Sequence, residues 1–262
     1  MKRYVVSDLH GQLDLYNQIK EYINEDDVVY ALGDFGDRGP EPWLTLKSVL
    51  DDKQFIYLMG NHDLMLVDAI DEYVRRADED GYCDVWRHMY SPNGKIALLE
   101  QNGGLITLEE WAAEEKRMDY YWKLKTLPLE VRLGALDGGH FIYLTHSGFT
   151  PNIDVYKNVE EFVWDRDHFY DLWNNNYRGD ISIGGHSPQE YVKRKLDIYG
   201  LCKTNDAVIY EEKEGCLFYC GDHKINIDCG AHYTGTTVLL NIDTLKGKVF
   251  KVRENINGYT KD

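Results

Sequence analysis

One feature constrains this chain most: before residue 75, an apolar strand, a polar loop and a helix follow one another three times. The strands are predicted at 3–7, 28–32 and 55–59, and the helices at about 12–23, 41–51 and 63–76. Strands that alternate with helices predict a parallel sheet, with functional groups at the carboxyl ends of the strands. The three polar loops are therefore expected to open on the same edge of the sheet.

These loops, and two later ones, carry side chains that can bind a metal ion or an anion. The first three read DLHG, GDFGDRGP and GNHD, and the other two follow the apolar strands FIYLT and ISIGG. The candidate residues are Asp8, His10, Asp34, Asp37, Arg38, Asn61, His62, His146 and His186. A lone Asp-x-His is usually a turn cap, and a lone His after a strand is often a polar group of the core. Five such loops in one chain indicate a composite site instead.

The residue types favour a particular kind of metal site. Asp, Asn and His supply oxygen and imidazole nitrogen, which suit Mn, Fe or Zn and do not form a thiolate site. Six candidate ligands are too many for one ion that keeps an open position. They fit two ions that share a bridging carboxylate, as in two-metal phosphoesterases.

The rest of the chain divides into a helical part and a β-rich part. The span 77–127 is charged and has helical spacing, with a break at NGG (102–104), and is interpreted as a helical cap or insert within a single domain of residues 1–262. Strands resume at EVRL, FIYLTH and ISIGGH, and the tail alternates apolar and polar residues. That alternation predicts a second sheet, antiparallel or mixed.

The five loops resemble the signature motifs of the calcineurin-like metallophosphoesterases. The motifs are SDLHG, GDFGDRG, GNHD, THSG and GGHSP, and GDxxDRG is the form of the phosphoprotein phosphatase branch. Four further segments are similar, in order, to the bacterial and lambda phage protein phosphatase type: NGG (102–104), LPLEVRL (127–133), VWDRDHF (163–169) and NIDCGAHYTG (226–235). The resemblance runs from residue 3 to about 243. It departs at Ser7, where the family most often has Gly and no consequence is expected, and at the longer stretch 200–223.

This resemblance implies an α/β fold, a four-layer α-β-β-α sandwich of two mixed sheets with a dinuclear metal site at the strand ends. It places one ion on Asp8, His10 and Asp34, with Asp34 bridging to a second ion held by Asn61, His146 and His186. The implied enzyme is a phosphatase that acts by direct attack of metal-bridging hydroxide, without a phosphoenzyme. Its two divalent ions are expected to be Mn, with Fe or Zn as alternatives.

The remaining roles concern the proton and the phosphate. His62 is the candidate general acid for the leaving group, with Asp37 holding its imidazole in place. Arg38, Arg166 and Asn61 are expected to bind the substrate phosphate, because the planar fork of Arg matches two phosphate oxygens. Arg166 has an alternative interpretation as a surface Arg between two acids.

Charge and composition limit the partners. With 29 basic and 45 acidic residues the net charge is −16, and no basic patch opposes it, so no nucleic-acid partner is expected. No stretch approaches eighteen apolar residues and the N-terminus has no room for a signal peptide, so a cytoplasmic protein without a membrane partner is expected. The five cysteines are odd in number and fit a reducing compartment, and CLFYC fits a strand better than a zinc site.

The expected substrate is a phosphorylated protein or a small phosphoester, and the first interpretation is a serine/threonine protein phosphatase. Asp37 favours it, because the dinucleotide hydrolases of the family resemble GDxxARG, and so does a net charge that disfavours a polyanion. One alternative is a symmetric dinucleoside tetraphosphate hydrolase, whose H-x-G-x-T-P-like loop resembles HSGFTP. Another is a non-catalytic binding protein, disfavoured because every ligand, acid and Arg position is filled.

Overall fold

The computed structural model describes residues 1–80, 93–134, 140–148, 159–169, 180–198, 207–211, 217–221 and 224–253. Its strands are β1 (Arg3–Val6), β2 (Val28–Ala31), β3 (Phe55–Tyr57), β4 (Glu130–Gly134), β5 (Phe141–Thr145), β6 (Ile181–Gly184), β7 (Ala207–Glu211), β8 (Leu217–Gly221), β9 (Lys224–Asn226), β10 (Thr236–Asn241) and β11 (Lys246–Lys251). Its helices are α1 (Leu13–Tyr22), α2 (Pro42–Asp51), α3 (Asn61–Asp80), α4 (Lys95–Gln101), α5 (Leu105–Ala113), α6 (Arg117–Lys125), α7 (Val159–Trp164), α8 (Gln189–Ile198) and α9 (Ala231–Thr234).

The first sheet has the strand order β11-β10-β1-β2-β3. Strands β1, β2 and β3 are mutually parallel, which confirms the prediction from the three repeated units. Strand β10 joins this sheet antiparallel to β1, with Val5 opposite Leu240. The prediction that the whole tail forms the second sheet is therefore wrong for β10 and β11. An alternating pattern shows which face of a strand is apolar, but it does not show which strand lies beside it.

The second sheet has the order β4-β5-β6-β9-β8-β7. Strands β5, β6 and β9 are parallel, while β4, β7 and β8 pair antiparallel with their neighbours. Both sheets are thus mixed, and the predicted fold of two mixed sheets flanked by helices is confirmed.

Two apolar layers hold these elements together, and β1 contributes to both. Tyr4 and Val6 pack with the helices in one layer, while Val5 packs in the layer between the two sheets. This division follows from the period of two residues in a strand. In the second layer Val5 and Leu240 of the first sheet meet Ile183 of the second. Burying each such aliphatic side chain contributes about 1.5–3 kcal/mol.

Helices α4, α5 and α6 fall within the span where a helical insert is expected. The NGG tripeptide ends α4 and precedes α5, as predicted, and Gly103 has φ +85° in the break. Trp111 and Leu124 are fully buried in the same apolar layer as Leu46 of α2. The side chains of these helices therefore share the core that supports the loops after β1 and β2.

Among the residues described, no helix combines the length and the apolar character that crossing a bilayer requires. Residues 217–220 of the segment CLFYC lie in strand β8, as predicted. Cys229 is disulfide-bonded, which differs from the expectation of a reducing compartment. Cys83, Cys202 and Cys216 lie outside the described residues.

Candidate active site

The six predicted ligand residues come together where strands of both sheets end. Four follow β1, β2 and β3 of the first sheet, and two follow β5 and β6 of the second. All six are at most 5% exposed: Asp8, His10, Asp34, Asn61, His146 and His186. Buried ionisable and amide side chains at this density need partners or bound ions, since burial without them is unfavourable.

Five His and Asp side chains form two sets of three whose ligand atoms lie within 4.8 Å of one another. One set is His10, Asp34 and His62, and the other is Asp34, His146 and His186. Asp34 belongs to both, because its Oδ2 lies 3.9 Å from His10 Nε2 and 3.3 Å from His146 Nε2. A single carboxylate that belongs to both sets suits two neighbouring cations.

The donors fit divalent ions in their chemistry as well. Burial lowers the pKa of His10 and of His186 well below the usual value, and neighbouring His side chains lower them further, so both imidazoles keep a free lone pair. His186 Nε2 is buried and has no hydrogen-bond partner among the described residues. Asn61 Oδ1 accepts from His186 Nδ1 (2.8 Å) and His146 Nε2 (3.0 Å). Neutral imidazole, carboxylate and amide oxygen together suit Mn, Fe or Zn.

Asp34 and His146 influence each other strongly. Burial acts to raise the pKa of Asp34, but the charge of His146 and its hydrogen bond to Asp34 hold that pKa well below the usual value. Burial likewise acts to lower the pKa of His146, whereas the carboxylate of Asp34 raises it to about 10. A cation bound at this position would compete with the proton on His146, because metal ligands bind in their deprotonated form.

Asp8 lies beside these sets and is not a member of either. Its Oδ2 accepts from the backbone N–H of His186 (3.0 Å) and from the Ser7 hydroxyl. Burial raises the pKa of Asp8, and Asp34 adds to the rise, which His146 opposes. Ser7 was expected to have no consequence, but it gives a candidate ligand an extra hydrogen-bond donor.

His62 is held by two partners on opposite sides of its ring. Its Nδ1 lies 2.6 Å from Asp37 Oδ2, and its Nε2 lies 2.6 Å from Arg38 Nη2. The other oxygen of Asp37 accepts from the buried hydroxyl of Thr107, in α5. Thr107 thus orients the carboxylate of Asp37, which in turn orients the imidazole of His62. Nothing in the sequence around Thr107 distinguishes it from other threonines in helices.

The two predicted phosphate-binding arginines line the same cavity of about 480 Å³. The NGG turn anchors Arg38, whose Nε donates to the Asn102 carbonyl (3.3 Å) and whose backbone N–H donates to the Gly103 carbonyl (3.1 Å). Arg166 Nη1 donates to Ser187 Oγ (3.2 Å). Arg166 is exposed and also lines the cavity, so the surface position that the alternative interpretation expected is itself part of the site.

Three polar residues of the site were not predicted. Asp63 Oδ2 accepts from the backbone N–H groups of Asp34 (3.0 Å) and Gly60 (2.9 Å), so it ties the loop after β2 to the loop after β3. Burial and the nearby Asp34 raise the pKa of Asp63 to about 7. Asp228 is buried, and His232 lines the cavity with its ring centre 5.4 Å from that of His10. Asp63 is the last letter of GNHD and Asp228 belongs to NIDCG, so motif position was the signal available for both.

The backbone of the site is unusual too. Six of the seven described non-glycine residues with positive φ are site residues: Asp8, His10, Asp34, Asp37, Arg38 and His186, with φ between +43° and +65°. Each such conformation costs of order 1–3 kcal/mol and persists only where the surroundings enforce it. The loops are thus held in shape by the fold rather than by their own preferences.

A glycine controls how closely two of these loops approach. A Cβ on Gly60 would lie 2.1 Å from Asp34 Oδ1 and 2.7 Å from Asp34 N. We expect Gly60→Ala to lower the free energy of unfolding by about 1–3 kcal/mol, which is the usual effect of overpacking. We also expect it to weaken metal binding, because the added methyl group would displace the carboxylate of Asp34. Urea denaturation and metal analysis measure the two effects. The matched control is Gly134→Ala in β4, where nothing lies within 4 Å of the added Cβ. Equal stability of the two variants would contradict the close packing of these loops.

A comparison with known protein families identifies a family whose sequence profile matches most of the chain. The sequence profile of the calcineurin-like phosphoesterases matches residues 1–195. A symmetrical bis(5'-nucleosyl)-tetraphosphatase of Wigglesworthia glossinidia brevipalpis is 26% identical over 102 residues. That alignment spans 37% of this chain and only 36% of the relative.

Three solved structures share the fold. A proposed diadenosine tetraphosphatase has a TM-score of 0.55 at 14% identity and covers 97% of this chain and 95% of its own. A metallophosphoesterase from Sphaerobacter thermophilus has a TM-score of 0.51 at 15% identity, covering 97% and 88%. A serine/threonine phosphatase from Saccharomyces cerevisiae has a TM-score of 0.50 at 13% identity, covering 98% and 82%. The profile match and the two overlapping ligand sets lead to one conclusion: this chain belongs to the calcineurin-like phosphoesterase family.

Proposed function

We propose that two divalent transition-metal ions, manganese first among them, bind around Asp34 and that the cavity hydrolyses a phosphoric ester or anhydride with water. Asp34 would hold both ions, with Asp8 and His10 at one of them and Asn61, His146 and His186 at the other. The observation that carries this proposal is the position of Asp34 in both sets. Arg38 and Arg166 line the same cavity, so positive groups lie in the wall beside the ligand sets. When bound, the two ions would lower the pKa of a water molecule and neutralise phosphate charge.

The arginines would bind and orient the phosphate. Their planar forks match two phosphate oxygens each, and Arg166 is pre-positioned by Ser187. Arg38 Nη2 lies 2.6 Å from His62 Nε2. A guanidinium has donors only, so Nε2 accepts here and the imidazole proton lies on Nδ1, toward Asp37.

This arrangement would couple phosphate binding to proton transfer. As long as Arg38 donates to His62 Nε2, that nitrogen carries no proton for a leaving group. When the fork of Arg38 turns to an incoming phosphate, Nε2 becomes free to be protonated, and the carboxylate of Asp37 stabilises the resulting imidazolium. His62 would then protonate the leaving oxygen as general acid.

For the substrate we put a bis(5'-nucleosyl) tetraphosphate first. The curated relative is named for symmetrical cleavage of this class, at 26% identity over the aligned part. In that reaction water oxygen bonds to one of the two central phosphorus atoms, the central bridging P–O bond breaks, and two nucleoside diphosphates leave. The acidic excess behind the net charge of −16 is not found in the cavity lining, where three arginines (Arg38, Arg166 and Arg194) stand beside three carboxylates (Asp34, Glu190 and Asp228).

A phosphoserine or phosphothreonine protein is the second candidate, and one contact favours it. The His62–Asp37 pair, at 2.6 Å, supplies a well-oriented proton donor. An alkoxide leaving group needs such a donor more than a phosphate leaving group does, because the alkoxide is far more basic.

The two candidates predict opposite preferences. We expect kcat/KM for diadenosine tetraphosphate to exceed that for a phosphothreonine peptide by about tenfold or more, at equal Mn²⁺ and ionic strength. Chromatography should show ADP as the only nucleotide product. A tenfold preference for the peptide would replace the first candidate by the second. AMP and ATP as products would contradict symmetrical cleavage.

A further inference from the structure

The outer wall of the cavity carries groups that neither the ligand sets nor the phosphate arginines require. Tyr191 and Arg194 belong to α8, and Tyr233 belongs to α9. The cavity volume of about 480 Å³ lies in the range of sites that enclose whole small-molecule ligands. The wall therefore has room for a part of the substrate beyond the reacting phosphate.

The fold places these three side chains around one opening. Tyr191 and Arg194 are three residues apart in α8, so they lie on one face of the helix. That helix starts shortly after His186, which ties its first turn to the ligand sets. On the other side, a Cβ on Gly230 would lie 2.2 Å from Tyr233 Cζ, and Gly230 has φ +67°. The ring of Tyr233 therefore lies directly over a turn that only glycine fits.

The two aromatic rings are accessible to a ligand. Tyr191 is 45% exposed and Tyr233 is 51% exposed. Lys195 Nζ lies 5.7 Å from the ring centre of Tyr191, so one face of that ring is covered by a cation. Exposed tyrosine faces beside basic groups are the usual platform on which nucleobases stack.

The charge of the wall indicates an anion with more than one phosphate. No acidic residue in the described part of the chain forms an ion pair with the exposed Arg194. A single phosphate is already served by Arg38 and Arg166, so a third guanidinium in the cavity suits a second phosphate group. Glu190, in the same wall, would repel phosphate but accept a hydrogen bond from a sugar hydroxyl.

We propose that Arg194, Tyr191 and Tyr233 form a subsite for the leaving nucleoside diphosphate. Arg194 binds phosphate oxygens of the leaving half, and the two tyrosines stack on its base. This inference rests on the proposed function, since it assumes that a nucleotide occupies the cavity. It assigns to α8 and α9 the part of recognition that separates a nucleotide from a bare phosphoester.

Calorimetric titration of the Mn²⁺-loaded protein with ADP and with pyrophosphate tests the subsite without turnover. We expect Arg194→Gln to raise the Kd of both probes by about tenfold, because a charged hydrogen bond is lost. Tyr191→Ala and Tyr233→Ala should raise the Kd of ADP by about fivefold or more and leave that of pyrophosphate within about twofold. Matched controls are Lys248→Gln, exposed on β11, and Tyr22→Ala, 46% exposed on α1. Both should leave either Kd unchanged.

Each outcome bears on the subsite or on the proposed function separately. An unchanged Kd of ADP in Arg194→Gln, or equal losses for ADP and pyrophosphate in the tyrosine variants, would overturn the subsite. Wild-type protein that fails to cleave diadenosine tetraphosphate but shows the expected Kd pattern would refute the proposed substrate and keep a nucleotide subsite. If Arg194→Gln weakens the binding of a phosphothreonine peptide as much as the binding of ADP, the wall recognises any anionic substrate and the nucleotide assignment fails.

Discussion

Replacing Asp34 with Asn should remove both bound metal ions and lower kcat by about 10³-fold or more, equivalent to about 4 kcal/mol of transition-state stabilisation. The reason is geometric, because the carboxylate of Asp34 belongs to both ligand sets. An amide keeps the shape but offers one neutral oxygen where the carboxylate offers two charged ones. Elemental analysis of the purified variant gives the metal content, and steady-state assays with added Mn²⁺ give kcat.

Asp8→Asn is the matched control for this experiment. Asp8 is equally buried and lies in the same group of loops, yet it belongs to neither set and accepts from the backbone of His186. We expect this variant to keep at least one ion per chain and to lose less activity. If Asp34→Asn retains one ion while Asp8→Asn loses both, the shared position of Asp34 has no bridging role.

The second large effect is expected at His62. His62→Asn should lower kcat by roughly 10²–10⁴-fold while the metal content stays unchanged, which is the usual contribution of a positioned acid. The loss should be smaller for p-nitrophenyl phosphate, whose leaving group needs less protonation. Parallel assays with an alkyl and an aryl phosphate, together with metal analysis, measure all three quantities.

Two outcomes would change this assignment. His62 also lies in one of the ligand sets, so a loss of metal in His62→Asn would identify it as a ligand. Equal losses for both substrates would show that it does not protonate the leaving group. Thr107→Val provides a graded comparison, because it removes the hydroxyl that donates to Asp37 and leaves His62 in place. A smaller loss with the same dependence on leaving group is expected from it.

Much of this molecule could be predicted because the decisive signals are local. Apolar runs followed by polar loops identified β1, β2 and β3, and the rule that parallel strands open on one edge brought Asp8, Asp34 and Asn61 together before their proximity was visible. His186 lies 152 positions after Asp34 and follows a strand of the other sheet, so its place in the site was implied by the resemblance of its motif to the family. Proximity could be predicted for residues in the loops that follow neighbouring parallel strands, because the topology of the sheet determines where those loops lie.

It failed where proximity depends on packing between distant elements. Thr107 has ordinary sequence surroundings in a helix. Asp63 and Tyr233 lie within the motifs GNHD and NIDCGAHYTG, but nothing in those motifs singles them out. The three roles come from what these residues face, respectively Asp37, two backbone N–H groups, and the outer cavity. The placement of β10 beside β1 is the same kind of case, since strand pairing is settled by competition among all strands.

The division of the ligands between the two sheets has a consequence for residues far from any phosphate. Asp34 is attached to one sheet and His146 to the other, and the sheets touch through side chains such as Val5, Leu240 and Ile183. A catalytic constellation tolerates displacements of about 0.5 Å. A shortened side chain in that interface would let one sheet settle against the other and shift half of the ligands. A change in metal affinity would therefore report a change in how the two sheets pack against each other. Ions bound by ligands from both sheets would in turn stabilise the packing of the sheets.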